Sequence, residues 1–218
     1  STDVLLVQDP GLLTGKLANG LTYYLYRNSN PKDRVNMHMV VHTGSYHENE
    51  NERGLAHFLE HMLFEGSENF KTGEMVKYFQ SIGMGFGEDA NAHTSFYETV
   101  YDINLPQGNR KYLEDAFRIY RDFMQGALLS PEEIELEKNV ILAEKNTRDS
   151  SNYRTYVELF RKVFNDVRIS ERNPIGLESV IKNADKKLMK DFYDAWYRPD
   201  NISLILVGDF EPELAKEL

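Results

Sequence analysis

Between Val35 and Val41 every second residue is apolar and Asn36 and His38 stand between them, the two-residue period of a strand with one buried face, which Thr43-Gly44 closes. Upstream, Asn19-Gly20 is the signal of a tight hairpin, and Leu21 to Tyr26 follows as a strand that Asn28 to Pro31 terminates. Tyr97 to Asn104, rich in β-branched and aromatic residues, predicts another strand, and the apolar run Ile202 to Val207 before Gly208 predicts one buried on both sides. His38 and His42 read as ordinary strand residues. Elsewhere the period lengthens to that of a helix. Met75, Val76 and Phe79 give a short one over Thr72 to Ser81, ahead of the glycine-rich turn Gly83 to Gly87. Leu113, Ala116, Phe117, Tyr120, Met124 and Ala127 give a long one over Asn109 to Leu128. Ser130-Pro131-Glu132-Glu133 is a cap, a first-turn proline and two acids, and opens a helix that runs to Arg148. Further helices are predicted over Asn152 to Phe164 and Asp185 to Trp196, with Asn173 to Gly176 a loop. Strands and helices alternate irregularly without an internal repeat, which predicts one α+β domain.

Two helices break the simple pattern. The first runs from about Glu52 to Phe64, with Gly66 at its end, and contains His57-Phe-Leu-Glu60-His61. At about 100° per residue His57, Glu60 and His61 share a face, and Leu55, Leu59, Met62 and Leu63 share the opposite one. Two histidines at this spacing can reach one metal ion, and a carboxylate beside them can take a proton from water that the ion has acidified. The pattern inverts the commoner H-E-x-x-H. In the helix after Ser130, the stripe Ile134, Glu137, Ile141, Glu144 puts two carboxylates where apolar side chains belong. A metal or a cation is the usual reason that a carboxylate is tolerated there. The competing explanations are a surface helix with two unremarkable histidines and a solvated charged helix.

Composition narrows the classes. With 218 residues, 41% hydrophobic and 28% charged, the chain can bury a full core. A formal net charge of −10 argues against wrapping nucleic acid and fits a peptide partner better. No apolar run approaches the roughly 18 residues of a membrane span, and Ser1-Thr-Asp-Val-Leu-Leu6 does not read as a signal peptide, so any targeting segment is expected to be removed or never present. There is no cysteine, so a metal would be held by histidine and carboxylate alone.

Taken together, Gly54-Leu-Ala-His-Phe-Leu-Glu-His-Met62, Asn91-Ala-His-Thr94, Glu137-Lys-Asn-Val-Ile-Leu-Ala-Glu144, Pro174-Ile-Gly176, Trp196-Tyr-Arg-Pro-Asp-Asn201 and Val207-Gly-Asp209 resemble the pitrilysin/insulinase family of zinc metallopeptidases. The resemblance covers nearly everything from Leu21 to Phe210. It implies one antiparallel or mixed β-sheet with helices packed mainly on one face, and an N-terminal zinc-binding peptidase domain over residues 1–218 that is a piece of a larger clamshell protein. It implies that His57 and His61 bind one zinc ion, that Glu60 is the general base, that Glu144 is the third ligand, and that Glu137 assists the site. Asn91 matches a residue that holds the substrate backbone, and an edge strand would pair with an extended peptide. The family's usual gap of about 75 residues after the second histidine would reach Glu137 rather than Glu144. The frame set by Glu-x-x-x-x-x-x-Glu around Val140-Ile-Leu142 nonetheless favours Glu144, with the segment Gly83 to Asp89 supplying the extra residues.

The implied activity is hydrolysis of peptide bonds in extended peptides or small unfolded proteins, weak or absent in the isolated domain, with the remaining domains or a partner subunit completing the site. Bacterial periplasm or envelope is the implied location. One alternative is a non-catalytic structural or presenting subunit of the same fold, which the intact His57, Glu60 and His61 argue against. The related S-ribosylhomocysteine-cleaving enzyme uses a cysteine, which this chain lacks. A purely structural zinc site would normally fill four protein ligands.

Overall fold

The computed structural model describes residues 8–218, so the start Ser1 to Leu6 lies outside the described residues. Six strands form one mixed sheet in the order β1-β2-β6-β3-β5-β4: β1 (Leu12–Lys16), β2 (Thr22–Arg27), β3 (Val35–Val41), β4 (Ala90–Thr94), β5 (Thr99–Leu105) and β6 (Ile202–Gly208). β2 and β6 run parallel, and the other neighbours are antiparallel. The Asn19-Gly20 turn closes the β1–β2 hairpin, and Gly20 sits at φ 97°, a conformation L side chains resist. β3 has the expected alternation: Val35, Met37, Met39 and Val41 are buried, Asn36 is exposed, and His38 is half-buried beside Asp102. The inward side chains of β3, β5 and β6 form one core with the helices.

The described residues also form eight α-helices: α1 (Leu55–Met62), α2 (Glu74–Ser81), α3 (Arg110–Gln125), α4 (Pro131–Arg148), α5 (Ser151–Val163), α6 (Glu178–Asn183), α7 (Lys186–Trp196) and α8 (Pro212–Glu217). Caps fix several starts. Asn109, Ser130, Ser150 and Asp185 each accept a backbone N–H from the first turn of α3, α4, α5 and α7. α3 drives Leu113, Ala116, Ile119, Tyr120 and Phe123 into the core, where Tyr101, Tyr120 and Phe123 pack together. Asp122 points inward from the same helix and ties down the turn that follows α1, accepting from Ser67 Oγ at 2.5 Å, Asn69 N at 2.9 Å and Asn69 Nδ2 at 2.7 Å. Among the described residues no helix is long and apolar enough to cross a membrane.

Several boundaries differ from the sequence expectation. The motif helix starts at Leu55, because Ser45–His47 and Glu50–Glu52 form 3-10 turns ahead of it. β1, β4, α6 and α8 are additional elements, all short. α1 is also buried on both sides: His57 and Glu60 are 7% and 8% exposed, so the polar side of the motif helix faces other protein elements.

Candidate metal centre

α1 carries the site and is held in place at its start. Gly54, at φ 109°, lies so close to Gly176 that a Cβ added to it would meet the Gly176 Cα at 3.1 Å. Leu177 N–H donates to the Arg53 carbonyl at 3.1 Å, which straps the Asn173–Gly176 loop across the helix start. α4 packs against α1, and α1 in turn packs on β4. These contacts bring together residues far apart in sequence.

His57 Nε2 and His61 Nε2 are 3.2 Å apart, and Glu144 Oε2 is 3.4 Å from the first and 3.5 Å from the second. All three ligand atoms lie within 4.8 Å of one another. Bonds of about 2.1 Å at tetrahedral angles put ligand atoms about 3.4 Å apart, so this triangle has the dimensions of one face of a zinc coordination tetrahedron. Glu137 is placed differently. Its Oε1 is 2.7 Å from His61 Nδ1, on the far side of the ring. A carboxylate there accepts a hydrogen bond from Nδ1–H and so leaves the Nε2 lone pair free, the usual way in which an outer carboxylate orients a metal-binding imidazole. Arg148, one turn beyond Glu144, donates to Glu144 Oε1 and leaves Oε2 for the histidines.

The electrostatics suit a ligand set. Burial pushes His57 down to about 3, with the charges of His61 and Arg148 acting in the same sense, so its imidazole is neutral at ordinary pH. For His61, burial works downwards, but the hydrogen bond to Glu137 and the carboxylates of Glu60, Glu137 and Glu144 outweigh it and leave the ring above its usual value. Burial raises Glu60 above the usual carboxylate range, while the Thr94 hydroxyl and the His61 charge pull it back. Thr94 Oγ1 donates to Glu60 Oε2 at 2.7 Å. Among the described residues His57 Nδ1 has no hydrogen-bond partner, so a buried imidazole edge is left without protein compensation.

These groups line one cleft of about 490 Å³, which also takes in Phe64, Asn91 and His93. Asn91 lies on β4, the last strand of the sheet, and its Oδ1 accepts from Ala92 N–H at 2.9 Å. Thus His57, Glu60, His61, Glu137, Glu144 and Asn91 all meet here. Thr94 and Arg148 are further members that the sequence reasoning passed over. The Glu144 to Arg148 spacing of four on one helix was a usable signal, whereas nothing in the spacing of Thr94 links it to Glu60.

A model of the insulinase family of peptidases, family M16, matches residues 23–173, and a model described as the M16 inactive domain matches residues 183–218. The chain is 36% identical over 213 residues to "Probable zinc protease PqqL" of Escherichia coli K12, covering 98% of this chain and 23% of that protein. It is 34% identical over 219 residues to the chloroplastic stromal processing peptidase of Oryza sativa subsp. japonica, covering 98% of this chain and 17% of that one. The crystal structure of the first half of the periplasmic protease PqqL from E. coli superposes with a TM-score of 0.93 at 35% identity, over 98% of this chain and 47% of that one. The chain therefore spans a quarter or less of the length of these curated relatives.

Proposed function

This chain belongs to the insulinase family of peptidases, family M16, and on that premise we propose that it is a zinc-dependent endopeptidase domain acting on extended peptides or small unfolded proteins. The observation that carries the proposal is the convergence of His57 Nε2, His61 Nε2 and Glu144 Oε2 on one point with the Glu60 carboxylate beside them. In this reading those three residues hold one zinc ion. Zinc so held supplies Lewis-acid chemistry, acidifying water and polarising a carbonyl oxygen.

The protein's own groups do the rest. Thr94 occupies Glu60 Oε2, which leaves Oε1 to take a proton from the attacking water and return it to the departing amine nitrogen. Burial makes Glu60 a stronger base than an exposed glutamate. Glu137 fixes the ring and the tautomer of His61 and is not itself a ligand. Beyond Ala90, whose own N–H and carbonyl are taken by Gly85 and Gly87, the outer edge of β4 offers its backbone to an extended peptide, and Asn91 holds the peptide's main chain beside the cleft.

The cleft lies open along one side of this domain, so the further domains of a longer parent protein, or a partner subunit, would close it and position the peptide. The periplasmic E. coli relative supports a bacterial periplasmic or envelope location. The experiment is a peptidase assay on the zinc-loaded parent protein carrying Glu60→Gln. The variant is expected to keep its metal and its fold and to lose at least about 100-fold in turnover, the scale of a general base. Turnover at the wild-type rate would overturn the proposal.

A further inference from the structure

Glu48 is a buried carboxylate that the chemistry proposed above does not use. It follows the 3-10 turn Ser45–His47, has 0% exposure, and its Oε2 accepts two backbone N–H groups, from Gly54 at 3.0 Å and from Ala56 at 2.8 Å. α1 has Gly54 as its N-cap and takes no side-chain bond from it. Glu48, reaching in from outside the helix, therefore does what a capping side chain does elsewhere. Its own backbone is anchored: the Glu48 carbonyl accepts from Arg172 Nε at 3.0 Å and from Arg168, and the Arg172 carbonyl accepts from Ser45 Oγ at 2.5 Å. Glu48 Oε1 has no partner among the described residues, although burial pushes the carboxyl up to about 8 against the pull of Ala56, Gly54 and Arg172. A half-satisfied acid in such a place costs stability that an apolar side chain would not.

The two histidines of α1 differ in how they are aimed. The ring of His61 is oriented by Glu137, whereas Nδ1 of His57 has no partner among the described residues. The direction of His57 then depends on the backbone of the first turn of α1, and the N–H of Ala56, next to His57, is one of the two groups that Glu48 grips. We infer that Glu48 is a positioning residue for the metal centre: by fixing Gly54 and Ala56 it sets where His57 stands relative to His61 and Glu144, and so sets the affinity for the ion. This inference rests on reading His57, His61 and Glu144 as ligands.

The test compares Glu48→Gln, which keeps an acceptor oxygen, with Glu48→Leu, which keeps bulk and loses the acceptor. Leu105→Ala serves as control, a buried residue at the other end of β5 from the site. Zinc affinity of each metal-free chain is measured by chelator competition, and the visible spectrum is recorded with cobalt in place of zinc. Glu48→Leu is expected to lose about 10- to 100-fold in affinity and to shift the cobalt bands, the scale seen for outer-shell partners of metal ligands. Glu48→Gln should recover most of the affinity, and Leu105→Ala should lower the melting temperature without moving either readout. A folded Glu48→Leu that binds zinc as tightly as wild type with an unchanged cobalt spectrum overturns the inference. Should that variant not fold, Glu48→Asp, one methylene too short to reach both N–H groups, replaces it under the same criterion. A wild-type chain that binds no zinc would instead overturn the ligand assignment, and this inference with it.

Discussion

Glu137 and Glu144 lie on one face of α4, and their geometry predicts very different costs for the same substitution. Structural zinc sites with four ligands bind with about 10–16 kcal/mol, or roughly 3 kcal/mol per ligand, which is about 150-fold in affinity. Glu144→Gln replaces the anionic group whose Oε2 is 3.4 Å and 3.5 Å from the two histidine nitrogens, so a loss of about that size is expected. It also removes the carboxylate partner of Arg148, whose positive charge then faces the site unpaired. Glu137→Gln leaves an amide oxygen that can still accept from His61 Nδ1, now 2.7 Å from the carboxylate. Only the charge assistance is lost, about 1 kcal/mol or five- to tenfold. Chelator competition on the metal-free chain, at one pH and one ionic strength, measures both losses. Equal losses, or a greater loss for Glu137→Gln, would refute the assignment of Glu144 as ligand and Glu137 as the outer partner of His61.

Thr94→Val removes the hydroxyl that lowers the pKa of Glu60. Since the base must be ionised, activity falls as pH drops through that raised pKa, and the acid limb of the kcat/KM profile of the parent protein should move to higher pH; an unmoved limb would contradict the role given to Thr94. Asp122→Ala removes a carboxylate, only 1% exposed, that accepts three hydrogen bonds from Ser67 and Asn69. Urea unfolding should show a loss of about 3 kcal/mol, and a loss below about 1 kcal/mol would show that these bonds contribute little.

Much of the fold was legible because its strongest signals are local. Ser130-Pro131-Glu132-Glu133 opens α4 where expected, and the α3 stripe is buried at Leu113, Ala116 and Tyr120. β4 was harder to read, since Ala-Asn-Ala-His-Thr has little intrinsic strand preference and is extended because it pairs with β5. β1 is short and contains Gly15, and α6 and α8 have six residues each, too few for a helical period to show. In the site, H-x-x-E-H was readable as a spacing. The separate places of Glu137 and Glu144 came from the family resemblance and not from periodicity, because both stand on one stripe of α4 and only the packing of α1 against α4 puts one at Nδ1 and the other at Nε2 of His61. Glu48 was invisible for a similar reason: its partners are backbone N–H groups, which carry no residue signature.

If His57, His61 and Glu144 form one metal centre, the metal content of the purified chain depends on each of them. After equilibration with zinc and removal of the free ion, wild type should retain one zinc per chain. His57→Ala, folded by circular dichroism, should retain almost none. Equal zinc in the two proteins, or a wild-type chain that retains no zinc, would contradict the account.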